Sequence, residues 1–136
     1  MPQWMRLAAT VALLPLVVGA CARIVTPRDF AGDYALSTLN GLAVPAVMSV
    51  DGAGSIEITG AQLRLNDDLT FFLRRDFRRT TSYGSSSTFH VVATGGFDVS
   101  SKTVMLYPAI GTPYSMSRKD SGLTQVDGLL TLVYLR

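Results

Sequence analysis

The densest group of chemically active side chains is a run of arginines in the segment Thr70–Arg79. Four of the six residues from Arg74 to Arg79 are arginines. Side chains in a β-strand alternate between two faces, so an extended segment would divide this run. The more apolar of the two faces would carry Phe71, Leu73, Arg75, Phe77 and Arg79. We predict that this face points into the protein and that Arg75 lies among apolar side chains.

Three alternative roles for Arg75 follow from this placement. The guanidinium has five donors in a fixed fork, which suits a carboxylate, so Arg75 could clamp an amphipathic anion such as a fatty acid. Alternatively, the strand projects beyond the body of the protein and leaves Arg75 and Arg79 in water at its rim. In the third alternative, the arginines form a basic ridge that lies on anionic lipid head groups.

Side chains for catalysis or metal binding are scarce elsewhere. The only His, His90, is expected on a solvated strand face, and nothing in its segment indicates a catalytic triad. Asp67 and Asp68 are adjacent in a turn and lack the spacing of a calcium loop. The sequence contains no phosphate loop, dinucleotide fingerprint or metal-binding His/Cys set. We therefore expect no enzymatic activity, no cofactor and no metal.

The composition limits the remaining function classes. The chain has 136 residues, of which 48% are hydrophobic and 16% charged, against roughly 25% charged in an average soluble domain. It is too apolar to be disordered, and its length fits one domain. With 12 Lys and Arg against 10 Asp and Glu, it lacks the basic surplus of a nucleic-acid binder. A single Cys excludes an intramolecular disulfide.

The N-terminus has the plan of a secretory signal peptide. Arg6 supplies a positive charge, Leu7–Val18 is an apolar run, and small residues follow it. The run is shorter than the ~20 residues that cross a bilayer as a helix. A retained anchor helix remains the alternative interpretation of this segment.

The end of this segment, Val18-Gly19-Ala20-Cys21, resembles the lipobox of bacterial lipoproteins. The resemblance implies cleavage before Cys21 and acylation of its thiol, with two or more acyl chains giving a stable anchor. Residues 1–20 would then be the lipoprotein signal peptide and residues 21–29 a lipidated tether. Ala22, in place of an Asp, favours the outer membrane. The alternative for Cys21 is a buried structural thiol.

Beyond Cys21 the apolar residues alternate with a period of two in short segments, which is typical of β-strands. Strands are predicted at Gly32–Leu39 and Thr70–Thr81, and Asn40-Gly41 predicts a hairpin turn. The parity of the pattern changes after Gly60, which predicts a bulge or a tight turn at Gly60-Ala61. Gly95-Gly96 should break or kink a later strand. We predict an all-β fold, an antiparallel up-and-down meander of about eight strands that closes into a barrel because closure removes exposed edges.

Two short motifs resemble those of lipocalin-like domains. Phe30–Tyr34 is similar to the opening of the first lipocalin strand, with Tyr34 where that family has a Trp. Gly96–Val99 and Thr103–Leu106 resemble the strand–turn units of small bacterial lipocalin-like lipoproteins. The resemblance implies a lipocalin-like barrel over residues 30–136, with Arg136 packed on Tyr34 at the closed end.

The sequence as a whole predicts a lipid-anchored protein of the bacterial cell envelope, with a membrane as its partner and no nucleic acid. Its non-catalytic barrel would have an accessory, structural or interaction role at the membrane. The alternative function is binding or carriage of a small apolar or amphipathic anionic ligand in the barrel. The ligand-binding residues would then be Tyr34, Phe71, Arg75 and Phe77. Large inward side chains favour a filled interior over an open one.

Overall fold

The computed structural model describes residues 24–136, so the expected signal peptide, the lipobox and Cys21 lie outside the described residues. A 3₁₀ turn at Pro27–Asp29 occupies the end of the expected tether. No helix in this part of the chain has the length and apolar character needed to cross a membrane. Ten strands follow the turn: β1 (Gly32–Leu39), β2 (Leu42–Ala43), β3 (Ala46–Asp51), β4 (Gly54–Leu65), β5 (Thr70–Thr81), β6 (Ser86–Ser100), β7 (Thr103–Pro108), β8 (Tyr114–Lys119), β9 (Gly122–Asp127) and β10 (Leu130–Leu135).

Eight of these strands close into an antiparallel barrel, which confirms the predicted fold class. Strands β4 to β10 pair with their neighbours in chain order, and β10 pairs with β1. The barrel closes where Gly32–Ala35 of β1 pairs with Gln62–Leu65 of β4. The short strands β2 and β3 extend the sheet from β1 and β4.

Local sequence signals explain the bounds of several strands. Asn40 and Gly41 have φ of 51° and 80°, as the hairpin turn after β1 requires, and these residues tolerate positive φ. The register between β4 and β5 shifts between Ile58 and Gly60. Of the two alternatives predicted here, the bulge is therefore present and the tight turn is not, and the bulge returns the apolar residues of β4 to the inner face.

The strands differ greatly in length. Strands β4 and β5 have 12 residues each and β6 has 15, whereas β7 to β10 have 6 each. The ends of β4, β5 and β6 therefore project beyond the barrel with β3 alongside. Strand β6 pairs with β7 only from Gly95 to Ser100. The edge of β6 before Gly95 therefore stays open, although closure of the barrel was expected to remove exposed edges. Of the break or kink predicted at Gly95-Gly96, the break does not occur, because β6 continues through both glycines to Ser100.

The closed half of the barrel is filled by apolar side chains. Phe30 is completely buried and Tyr34 is 5% exposed. Inward side chains of all the barrel strands pack around them, as the alternation of β-strands requires. The largest side chains that are fully buried in this core include Phe30, Leu39, Ile58, Leu63, Leu65, Leu73, Leu106, Met116, Leu123 and Tyr134.

Candidate functional site

Arg75 lies inside the barrel, on the inner face of β5. Phe71 and Leu73 precede it on that face and are each 2% exposed. Opposite Arg75 in the ladder stand Ala61 on β4 and Val91 on β6. The small side chain of Ala61 leaves room for the guanidinium, and the predicted inward orientation of Arg75 is confirmed.

The guanidinium of Arg75 reaches across the barrel to polar groups on β9 and β10. Its Nη2 donates to Oε1 of Gln125 at 2.6 Å, and its Nε donates to Oη of Tyr134 at 3.4 Å. Its central carbon lies 5.4 Å from the ring centre of Tyr114, within the range of a cation–π contact. Gln125 is the one buried polar side chain among the described residues, and Arg75 supplies the partner that burial demands.

The positive charge of Arg75 faces neutral acceptors. None of the ion pairs among residues 24–136 includes Arg75. Burial raises the pKa of Tyr134, while the nearby Arg75 charge opposes that rise. Tyr134 is therefore a neutral phenol at ordinary pH, so neither hydrogen-bond acceptor of Arg75 carries a negative charge.

The outward arginines are paired with acids. Arg74 bonds to Asp76 at 2.9 Å, and Arg78 bonds to Glu57 at 2.7 Å. These pairs neutralise much of the outer face of β5. The alternative of a basic ridge on that face therefore has little net charge to offer a lipid surface.

An apolar platform lies beside Arg75 at the mouth of the barrel. The rings of Phe77 and Phe89 are stacked, with centres 5.0 Å apart and planes 19° from parallel. Phe89 is 43% exposed and Val91 is 52% exposed, so the platform faces solvent. Arg75 and Phe77 thus lie next to each other on the inner face of β5, and Phe89 of β6 stacks on Phe77.

Tyr34 and Phe71, the other two predicted ligand-binding residues, lie away from that site. Phe71 is buried in the core, four residues from Arg75 along β5, which is about 13 Å in a strand. Tyr34 is at the closed end, where its Oη donates to the carbonyl of Phe30 at 2.7 Å. Both residues share a face with the site but lie deeper in the barrel.

The closed end is covered by two arginines. The guanidinium of Arg136 lies 5.3 Å from the ring centre of Tyr34 and donates to the carbonyl of Ala31. Arg118 lies 4.9 Å from the ring centre of Phe30. Burial raises the pKa of Tyr34, and the two guanidinium charges oppose it. The packing of Arg136 on Tyr34 is the arrangement that the lipocalin resemblance implied.

The other residues considered in the sequence, Asp67, Asp68 and His90, are all exposed. His90 is exposed and stands opposite Asp76 in the β5–β6 ladder. The carboxylate of Asp68 accepts from the N–H and the hydroxyl of Thr70, which lowers the pKa of Asp68 and fixes the turn. Residues 24–136 contain no group of three or more His, Cys, Asp or Glu side chains that could hold a metal ion.

Several surface grooves accompany the barrel, and one of them adjoins the mouth. This groove, of about 310 Å³, lies between Val91–Thr94 of β6 and the β7–β8 loop at Ala109 and Ile110. Tyr114, which faces Arg75, also lines it.

Comparison of the chain with protein-family models, curated proteins and solved structures gives no match. Chemically, the mouth combines a cation, neutral hydrogen-bonding groups and aromatic surface.

Sequence reasoning found Arg75 but missed its partners. Gln125 and Tyr134 are 50 and 59 residues from Arg75 in the chain. Gln125 has one detectable signal, since it occupies an inward parity position of the short strand Gly122–Asp127. A polar side chain at such a position requires a partner inside the barrel.

Proposed function

We propose that the protein is a lipid-anchored component of the bacterial cell envelope. Its lipocalin-like barrel has an accessory, structural or interaction role at the membrane and performs no catalysis. The observation that carries the proposal is the lipobox-like Val18–Cys21 segment directly ahead of a closed barrel with a filled core. Residues 21–29 can span at most about 30 Å, so acylation of Cys21 would hold the barrel beside the membrane. The packing of Arg136 on Tyr34 supports the lipocalin-like assignment.

Labelling with radioactive palmitate in a bacterial host tests the anchor. The wild type is expected to incorporate label and to sediment with membranes. Cys21→Ser should lose both properties, because the thiol is the acylation site and two chains are needed for stable anchoring. Ala22→Ser is the matched control and should keep both. Equal labelling of the wild type and Cys21→Ser contradicts the lipoprotein assignment.

A second candidate function is the binding of an amphipathic anion such as a fatty acid at the mouth of the barrel. It is favoured by Arg75, a partly buried cation whose hydrogen-bond acceptors, Gln125 and Tyr134, are neutral. A carboxylate is the stronger acceptor for a guanidinium. The partly buried ring of Phe77 and the exposed ring of Phe89 would contact the alkyl chain.

Titration with a fluorescent long-chain fatty acid tests this second function. Arg75→Ala is expected to weaken binding about tenfold to hundredfold, because a hydrogen bond to a charged group contributes on the order of 1.5–3 kcal/mol. Arg74→Ala is the control, since Arg74 lies on the outer face and is paired with Asp76. Urea unfolding of both variants separates lost binding from lost folding. Equal losses of affinity in the two variants, or no binding by the wild type, would exclude the clamp.

A further inference from the structure

The projecting part of β6 has a free edge. Residues 86–93 pair with β5 on one side, while pairing with β7 begins only at Gly95. The groove at Val91–Thr94 separates this edge from the β7–β8 loop. An extended chain therefore has access to the backbone of β6 along this stretch.

The hydrogen bond beside the free segment shows which backbone groups point outward. The N–H of Ala109 donates to the carbonyl of Thr94 at 2.9 Å, so Thr94 directs its backbone groups away from β5. Residues of an antiparallel strand alternate in this direction, which assigns the same direction to every second residue before Thr94. The residues with outward N–H and C=O groups are Ser86, Thr88, His90 and Val92.

This edge lacks the protection that the other sheet edges of the described chain have. Strand β2 has only two residues, and β3 follows Pro45, has an irregular register between Val47 and Ser49, and ends at Asp51. Residues 86–93 contain no Pro, Gly, Lys, Arg, Asp or Glu, and their register with β5 is regular. An exposed, uncharged edge with a regular register is a template for pairing with another strand.

We propose that two copies of this chain pair through the free edges of β6, in antiparallel orientation about a two-fold axis at Phe89. In this register, Ser86 faces the second copy's Val92, and Thr88 faces the second copy's His90. It uses all four residues with outward backbone groups and leaves out Thr94, whose carbonyl is already bonded. The inner faces of the two β6 strands lie on the same side of the joined sheet, because each residue is opposite a residue whose number has the same parity.

The chemistry of the edge favours a second copy as the partner. No charged side chain lies on the segment, so self-pairing places no like charges opposite each other. The two Phe89 side chains meet at the axis, each already stacked on Phe77. A two-fold interface of this kind joins two copies and no more. The protected edges of β2 and β3 do not favour the addition of a third copy.

Disulfide cross-linking of the full chain in cells tests the pairing and its register. Directly opposite residues of an antiparallel pair have Cα atoms about 4.5–5.5 Å apart, within disulfide range. Phe89→Cys is therefore expected to give a cross-linked dimer on mild oxidation. Val91→Cys is the matched control: it lies on the same face and edge, but faces Ser87 of the second copy. The wild type, which carries Cys21 alone, is the blank.

A second pair of variants tests the edge by adding a positive charge to it. In the Phe89→Cys background, His90→Lys should reduce the cross-linked fraction about tenfold, because a lysine on an exposed strand edge disfavours pairing with another strand. It leaves the folded monomer intact because the new ammonium faces Asp76. Ser115→Lys adds the same charge at an exposed position of β8 and should leave the cross-link unchanged.

Each other outcome overturns the proposal. A dimer with Val91→Cys in place of Phe89→Cys contradicts the register. A cross-link from Phe89→Cys to a different protein contradicts self-pairing. The absence of any cross-link, or an equal effect of His90→Lys and Ser115→Lys, contradicts pairing through this edge.

Discussion

Replacing Phe30 with alanine is expected to lower the free energy of unfolding by about 3–5 kcal/mol, as the truncation of a fully buried aromatic side chain does. Phe30 is 0% exposed and fills the closed end of the barrel. Its ring lies 4.9 Å from the guanidinium carbon of Arg118, so truncation also removes a cation–π contact. Urea unfolding followed by tyrosine fluorescence measures the change.

Phe72→Ala is the control for that experiment. Phe72 is 39% exposed on the outer face of β5, so its truncation leaves no closed cavity and should cost less than about 1 kcal/mol. If the two variants lose equal stability, Phe30 does not have the core position described above.

Gly95→Ala is expected to lower the free energy of unfolding by about 3 kcal/mol, through overpacking against backbone. A methyl group at Gly95 would lie 2.0 Å from the carbonyl oxygen of Tyr107 and 2.9 Å from the Cα of Pro108. Neither atom can move independently of its strand, so β6 and β7 would have to separate where their pairing begins. The unfolding midpoint in urea reports this loss.

The neighbouring Gly96→Ala should behave in the opposite way. A methyl group there meets only the carbonyl oxygen of Leu69, at 3.6 Å, which is an ordinary contact. Alanine also loses less conformational entropy on folding, so Gly96→Ala should be neutral or stabilise the protein by up to about 1 kcal/mol. A Gly95→Ala protein as stable as Gly96→Ala would contradict the close approach of β6 and β7.

Local patterns in the sequence were sufficient for much of the fold. The predicted bounds of Gly32–Leu39 and Thr70–Thr81 coincide with β1 and β5. The inward face of Arg75 followed from the same alternation, because side-chain direction in a strand depends only on parity. The change of parity at Gly60 predicted a bulge or a tight turn, and the pairing of β4 with β5 on both sides of Gly60 shows that it is a bulge.

Features that depend on contacts between distant strands could not be predicted from the sequence. Gly95 is a residue type typical of strand breaks. Only the close approach of the Tyr107 backbone shows that a glycine at this position allows β6 and β7 to pair. Strand alternation placed Phe71 and Phe77 on one face, but it does not show how deep in the barrel each residue lies. It therefore could not show that Phe71 belongs to the core and Phe77 to the mouth. The free edge of β6 arises because β7 is much shorter, and strand lengths can be compared only once their pairing is known.

Intact-mass measurement of the chain purified from the membranes of a bacterial host tests the proposed anchor most directly. We expect a chain that begins at Cys21 and carries the added mass of a diacylglycerol group, with or without a further acyl chain on the new amine. This mass should be absent from Cys21→Ser. A chain that retains residues 1–20, or that carries Cys21 as an unmodified thiol, would contradict the lipid-anchored function.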